Sequence, residues 1–286
     1  MSILENKIDF VMLFTVKNAN PNGDPLMGNM PRTDYEGYGE VSDVCIKRKI
    51  RNRMQDLDYN IFVQSQDRVE DGYKSLEARF KAEFDKGQGD DVVAEKSCEK
   101  WIDVRSFGQV MTFQNRSLGI RGPVSISIAK SLSPIDVITM QITRSVNGME
   151  AEVGKTRSSD TMGSKHYVDF GVYKLSGSIN CYFAEKTGFT DDDGKIIKES
   201  LRTLFENDMS SARPEGSMEV KKIYWFTHPN KLGLASSSKI HDLVQVEIKP
   251  DIQKPTKYDD YIIGIDKERY KEYEEKGLKV EELEGK

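Results

Sequence analysis

Cysteine, histidine and tryptophan are scarce in this 286-residue chain, with three, three and two copies. Cys45, Cys98 and Cys181 lie far apart with no CxxC pair, which excludes a disulfide framework and a thiolate zinc cluster alike. His166, His228 and His241 form no HxH or HExxH pattern. No serine sits in a G-x-S-x-G elbow, so no Ser/His/Asp hydrolase set is evident. The string Gly148…Gly154-Lys155-Thr156 has one residue too many between its glycines for a P-loop. No stretch approaches the roughly 18–20 apolar residues of a membrane helix. The opening MSILENKIDFVMLF lacks the basic start and small-residue cleavage site of a signal peptide. The expectation is therefore a cytoplasmic protein without membrane contact, metal or cofactor.

Charge is abundant but uneven. Lys plus Arg number 42 against 47 Asp plus Glu, a net charge of −5. Residues 41–56 nonetheless carry five cations, Lys47, Arg48, Lys49, Arg51 and Arg53, against Asp43 and Asp56. Residues 105–165 hold eight basic and four acidic side chains, whereas residues 257–286 hold seven basic and ten acidic ones. Basic islands on an acidic chain suit a nucleic-acid binder that must also stay soluble, although charged solvated helix faces are common.

Periodicity gives an α+β order. Residues 7–17 alternate, with Ile8, Phe10, Met12, Phe14 and Val16 on one face and Asp9, Val11, Leu13 and Thr15 on the other. Apolar residues on both faces predict a central strand. A long Asn/Gly/Pro/Asp-rich loop follows, then a helix capped by Ser42 or Asp43, with a buried stripe of Ile46, Ile50, Met54 and Leu57. Residues 60–107 read as a charged helical insertion broken at 85–91, and residues 109–122 as a polar, glycine-bearing loop. Strands are expected at 124–129 and 135–143, an extended loop or protruding hairpin at 144–165, and resumed alternation over 166–183. A second helix carries Ile197, Leu201, Leu204 and Phe205, followed by strands at 220–227 and 243–249. Two helices on a sheet point to a single ferredoxin-like domain with insertions, spanning 1–286.

Two acidic clusters invite metal chemistry. Asp191-Asp192-Asp193-Gly194 lacks the spacing and closing Glu of a calcium loop, and suits a helix N-terminus instead. Asp24, Asp34 and Asp43 could converge on a divalent ion, but Asn-Gly-Asp-Pro is the composition of a turn.

The string NPNGDPLMGNMPRTDYEGYGEVSDVCIKRKIR resembles the backbone (Cas7) subunit of type I CRISPR surveillance complexes, closest to the type I-C branch. The later strings DVRSFGQVMTF, RGPVSISIAKSLSPID, ITRS and TMGSKHYVDFGVYKLSG agree, so the resemblance runs from about Lys7 to Lys249. It implies a modified RRM/ferredoxin-like palm with a helical web at 60–107, a thumb at 145–165 and a charged C-terminal tail at 257–286. It also implies a non-catalytic subunit that oligomerises along CRISPR RNA within Cascade. Its partners would be other copies of itself, other Cascade subunits, and the target DNA strand paired to the guide.

By position, the resemblance makes Lys47, Arg48 and Arg51 phosphate-gripping residues. Ser42, Asn22, Arg32, Gln114, Asn115, Arg116 and Arg121 would line the RNA groove. Thr161, Met162, Lys165 and His166 would sit where the thumb kinks the guide. The sequence lacks the aromatic string with which ordinary RNA-recognition modules stack bases. That absence fits a subunit that leaves bases free to pair. Backbone subunits of related type III complexes cut RNA with a loop aspartate, so a metal-dependent endoribonuclease using Asp24 or Asp34 is the alternative.

Overall fold

The structure is a computed structural model that describes residues 2–143 and 162–286. Strand β1 (Ile8–Ala19) leads into a loop holding the short strands β2 (Gly23–Asp24) and β3 (Met30–Pro31), then β4 (Tyr38–Val41). Helix α1 (Asp43–Asp56) is followed by α2 (Leu76–Glu83), α3 (Asp90–Lys100) and α4 (Ile102–Phe107). The hairpin β5 (Gly108–Met111) and β6 (Leu118–Arg121) precedes β7 (Val124–Ile126), β8 (Ala129–Pro134) and β9 (Val137–Thr143). Strand β10 (Met162–Ile179) runs into α5 (Cys181–Thr187) and α6 (Asp191–Arg202). Last come β11 (Met218–Thr227), α7 (Ser237–His241), β12 (Val244–Ile248), β13 (Tyr261–Ile265), α8 (Lys267–Glu274) and β14 (Lys279–Glu284).

The large sheet runs β14-β11-β1-β10-β8-β4, antiparallel at every step, and β7 and β9 also pair with β10. β1 is central because both of its faces are apolar. Ile8, Phe10, Met12, Phe14 and Val16 enter one core, with Ile46, Ile50 and Met54 of α1 and Ile197 and Leu201 of α6. Val11 and Leu13 enter a second core on the opposite face, under Ile240, Leu243, Val244, Tyr261 and Leu278. Ser42 caps α1, its hydroxyl accepting from the Cys45 amide at 3.3 Å.

The insertion after α1 has a core of its own, built from Phe62, Phe80, Phe84, Val93, Cys98, Trp101, Val104 and Met111. It meets the rest of the chain through Ile61, Ile102 and Phe107, which join the core under the large sheet, and through Arg105, whose Nε and Nη2 donate to Asp193 at 2.9 and 2.7 Å. Asp193 in turn closes a capping box with Thr190 at the start of α6. Arg105→Ala strands an almost fully buried carboxylate and is expected to cost about 3 kcal/mol. Hydrogen exchange checks this, with the α3 and α4 amides losing protection before those of β1.

Several boundaries differ from the sequence expectation. Cys181 and Phe183 do not continue the strand alternation: Asn180 accepts from the Phe183 amide and starts α5. Residues 60–75 hold only a single 3-10 turn, Gln66–Arg68, because Arg79 and Asp103 satisfy their backbone in place of helical bonds. The stretch read as a polar loop is the β5–β6 hairpin, and the expected strand at 124–129 is two short strands. The charged segment 257–286 folds as β13, α8 and β14, and β14 adds to the sheet beside β11. Most of the expected thumb, residues 145–161, lies outside the described residues; its last residues, from Met162 to Lys165, belong to β10 and pair with β9. Among the described residues no helix is long and apolar enough to cross a membrane.

Candidate nucleic-acid interface

The basic run of α1 divides by face. Lys49 and Arg53 point inward to structural partners. Lys49 is buried at 3% exposure and pairs with Asp208; burial pushes its ammonium pKa down while Asp208 pulls it back up. Arg53 donates to Thr203 Oγ1 at 2.7 Å and pairs with Glu206 at 2.7 Å. Lys47, Arg48 and Arg51 occupy the other flank. Lys47 pairs with Asp43 one turn earlier at 3.0 Å, a surface contact of small energetic weight.

Arg48 and Arg51 both reach the first turn of the insertion. Arg48 Nη1 donates to the Val63 carbonyl at 2.6 Å. Arg51 Nε donates to Asp103 Oδ2 at 2.9 Å, and its guanidinium lies 5.0 Å from the Phe107 ring centre. Asp103 is fully buried, and also accepts from the Phe62 amide (2.7 Å) and the Val63 amide (3.1 Å). Burial, and next the neighbouring Arg51 charge, hold the Arg48 pKa below its ordinary value. Two guanidiniums are thus held on one flank beside a buried carboxylate, Arg51 directly and Arg48 through Val63; both residues are only partly exposed, the Arg51 side chain at 12%.

The glycine-rich loop meets the start of α1. Asn22 Oδ1 accepts from the Ser42 amide at 2.9 Å, joining two of the proposed groove residues. Arg32 pairs with Asp24 at 3.4 Å. Both loop aspartates make turns: Asp24 accepts from the Leu26 amide, and Asp34 accepts from the Glu36 and Tyr38 amides at 2.9 Å each. Asp34 also pairs with Lys130, whose hydrogen bond first of all holds its carboxyl pKa below the ordinary value. Among the described residues no cluster of three or more His, Cys, Asp or Glu could hold a metal ion.

The remaining sequence-predicted residues fall in two other places. Gln114 and Asn115 form the tip of the β5–β6 hairpin with φ of 57° and 61°. Arg116 turns back to Asp90 and to the Gln88 carbonyl (2.8 Å), so it braces the insertion. Arg121 is exposed and stacks its guanidinium 4.2 Å from the Phe183 ring centre. On the β9–β10 ribbon Met162 is 65% exposed, Lys165 is partly exposed, and His166 Nδ1 is 2.8 Å from Thr139 Oγ1. Thr161 lies outside the described residues. Asp103 opens the string DVRSFGQVMTF, yet nothing in that string gives it a role, because its partners Arg51 and Phe62 are 52 and 41 residues away.

A large antiparallel sheet with a helical insertion, a helix flank carrying Lys47, Arg48 and Arg51 and a β9–β10 ribbon define a mixed helix-and-strand fold. The chain matches the family of CRISPR-associated protein Cas7 over residues 6–266, and it belongs to that family. A curated CRISPR-associated protein Cas7 from Haloferax volcanii is 24% identical over 226 residues, covering 72% of this chain and 66% of the relative. The match therefore spans just under two thirds of that relative's length.

Among solved structures, a chain of a "CRISPR RNA-guided surveillance complex, pre-nicking" aligns with a TM-score of 0.46 at 15% identity, covering 77% of this chain and 78% of that one. A chain of a "CRISPR RNA-guided surveillance complex" gives 0.45 at 17% identity, covering 77% and 68%. A chain of the type III-B Cmr-beta complex bound to cognate target RNA gives 0.39 at 13% identity, covering 76% and 60%.

Proposed function

We propose that this chain is a non-catalytic backbone subunit that binds CRISPR RNA in a type I, I-C-like Cascade complex in the cytoplasm. Several copies would follow one guide, together with other Cascade subunits, and present the guide for pairing with target DNA. The observation that carries this reading is the family match over residues 6–266. The geometry supports it: Lys47, Arg48 and Arg51 share one flank of α1, beside the loop residues Asn22 and Ser42. We read the large antiparallel sheet as a modified RNA-recognition palm, 60–107 as its web and 145–165 as its thumb.

Fixed cations and loop amides hold phosphates whatever the base, which a subunit serving many guides requires. The turn-making roles of Asp24 and Asp34 support a non-catalytic loop, since both carboxylates already accept local amides and pair with Arg32 and Lys130. The double variant Lys47→Ala/Arg51→Ala is expected to weaken RNA binding at least tenfold (~10-fold per strong contact) and to flatten its salt dependence. Fluorescence anisotropy on guides of several sequences at matched salt checks this. Unequal losses between guide sequences would sink the phosphate assignment.

A further inference from the structure

We infer that Asp103 is the positioning residue of the α1 cations: it fixes Arg51 directly and Arg48 through the 62–63 turn, so that both guanidiniums meet a phosphate without reorganisation. The inference rests on the RNA-binding reading of this flank and adds to it a residue that touches no RNA.

Three observations converge. Asp103 is fully buried, and its two oxygens take three donors: the Phe62 amide, the Val63 amide and Arg51 Nε. The Val63 amide that Asp103 holds belongs to the same residue whose carbonyl accepts from Arg48. Arg48 and Arg51 repel each other, and the Asp103 charge favours Arg48 in its charged form. A lone flexible arginine loses side-chain freedom each time it grips a phosphate; these two have lost it already on folding.

Arg51 spends only Nε on Asp103, and its two Nη groups have no hydrogen-bond partner among the described residues. They are the groups left for an anion. Asp103 lies on α4 of the insertion while both arginines lie on the palm helix, so the grip is assembled only when the two parts are docked.

The experiment measures affinity of the full chain for a fluorescein-labelled single-stranded RNA across a salt series, for the wild type, Asp103→Asn, Arg51→Ala, the double variant and Arg51→Lys. Asp103→Asn keeps the size of the side chain but removes its charge and one acceptor. It is expected to weaken binding about tenfold and to reduce the salt slope by about 0.7, the loss of one contact to a single strand. The double variant should bind no worse than Arg51→Ala, because the two residues act as one unit. Arg51→Lys keeps the charge but loses the bond geometry, and should bind like Arg51→Ala rather than like wild type.

An Asp103→Asn protein that melts lower yet binds RNA with wild-type affinity and slope would overturn the inference while leaving the RNA-binding reading intact. Additive losses in the double variant would do the same. Should Asp103→Asn fail to fold, Arg51→Lys decides alone, and wild-type affinity there overturns it. A wild-type chain that does not bind RNA at all sinks both.

Discussion

Asp9→Ala is expected to lower the free energy of unfolding by about 3–5 kcal/mol at neutral pH, because it leaves buried cationic and polar groups facing an empty site. Asp9 sits on β1 at 0% exposure. It accepts from His228 Nε2 at 2.8 Å and pairs with Lys7 at 3.0 Å. The Leu234 amide donates to His228 Nδ1, so the ring is the neutral tautomer with its proton on Nε2, aimed at Asp9. Burial pushes the Asp9 pKa up, but hydrogen bonds from His228 and Ser237 and the Lys7 charge together outweigh it and hold the pKa below 3.8.

The sign of the pH dependence follows from that direction. A carboxyl group depressed in the folded state binds fewer protons there than when unfolded, so its stabilisation is fully present above pH 3.8. It is lost as pH falls through the lower folded value. Urea titrations of wild type and Asp9→Ala should therefore differ most at neutral pH and converge below pH 3.8. A constant gap down to strong acid would remove the ionised Asp9 from the account. His241 adds an earlier step of the same sign: burial pushes its pKa below 6.5, so the folded state resists its protonation.

Phe14→Ala is expected to cost a comparable amount, about 3–5 kcal/mol, but with no pH dependence between 5 and 8. Phe14 is fully buried at the middle of β1. Its ring stacks on Tyr173 of β10 at 5.3 Å between centroids and meets Phe205 at 5.3 Å on the helical side. Truncation opens a cavity where strand, neighbouring strand and helix layer join, and rigid neighbours on three sides cannot collapse into it. Chemical denaturation checks this: a loss under about 1 kcal/mol would mean that the site repacks.

Sequence periodicity carried the central parts of this structure. The two apolar faces of β1, the Ser42 cap, the Ile46/Ile50/Met54 stripe and the Asp-rich start of α6 are local signals, and the chain folds as they read. Local signals failed where a distant contact decides. Cys181 and Phe183 continue a plausible alternation, and only the Asn180 cap reveals a helix. Residues 60–75 carry helix-compatible charge, yet their backbone is satisfied by Arg79 and Asp103.

The candidate site was legible as a run of cations but not as a surface. Five basic residues of α1 look alike in the sequence, and only the fold separates Lys49 and Arg53, which hold Asp208 and Glu206, from the three on the outer flank. A net charge counted along a segment therefore overstates what a ligand would meet.

The independent core of the insertion has a consequence for how such a subunit can vary. Much of its apolar interior is closed by its own aromatic rings, and it is tied to the rest of the chain by the Ile61, Ile102 and Phe107 contacts and by the Arg51 and Arg105 ion pairs, all of which lie away from the α2–α3 turn. The turn between α2 and α3 carries Gly87 and Gly89, around which an added Cβ would meet nothing within 4 Å. Chain length can therefore change at that turn while Arg51 and Arg105 keep their partners. Such a part can be resized through successive generations without renegotiating the rest of the molecule.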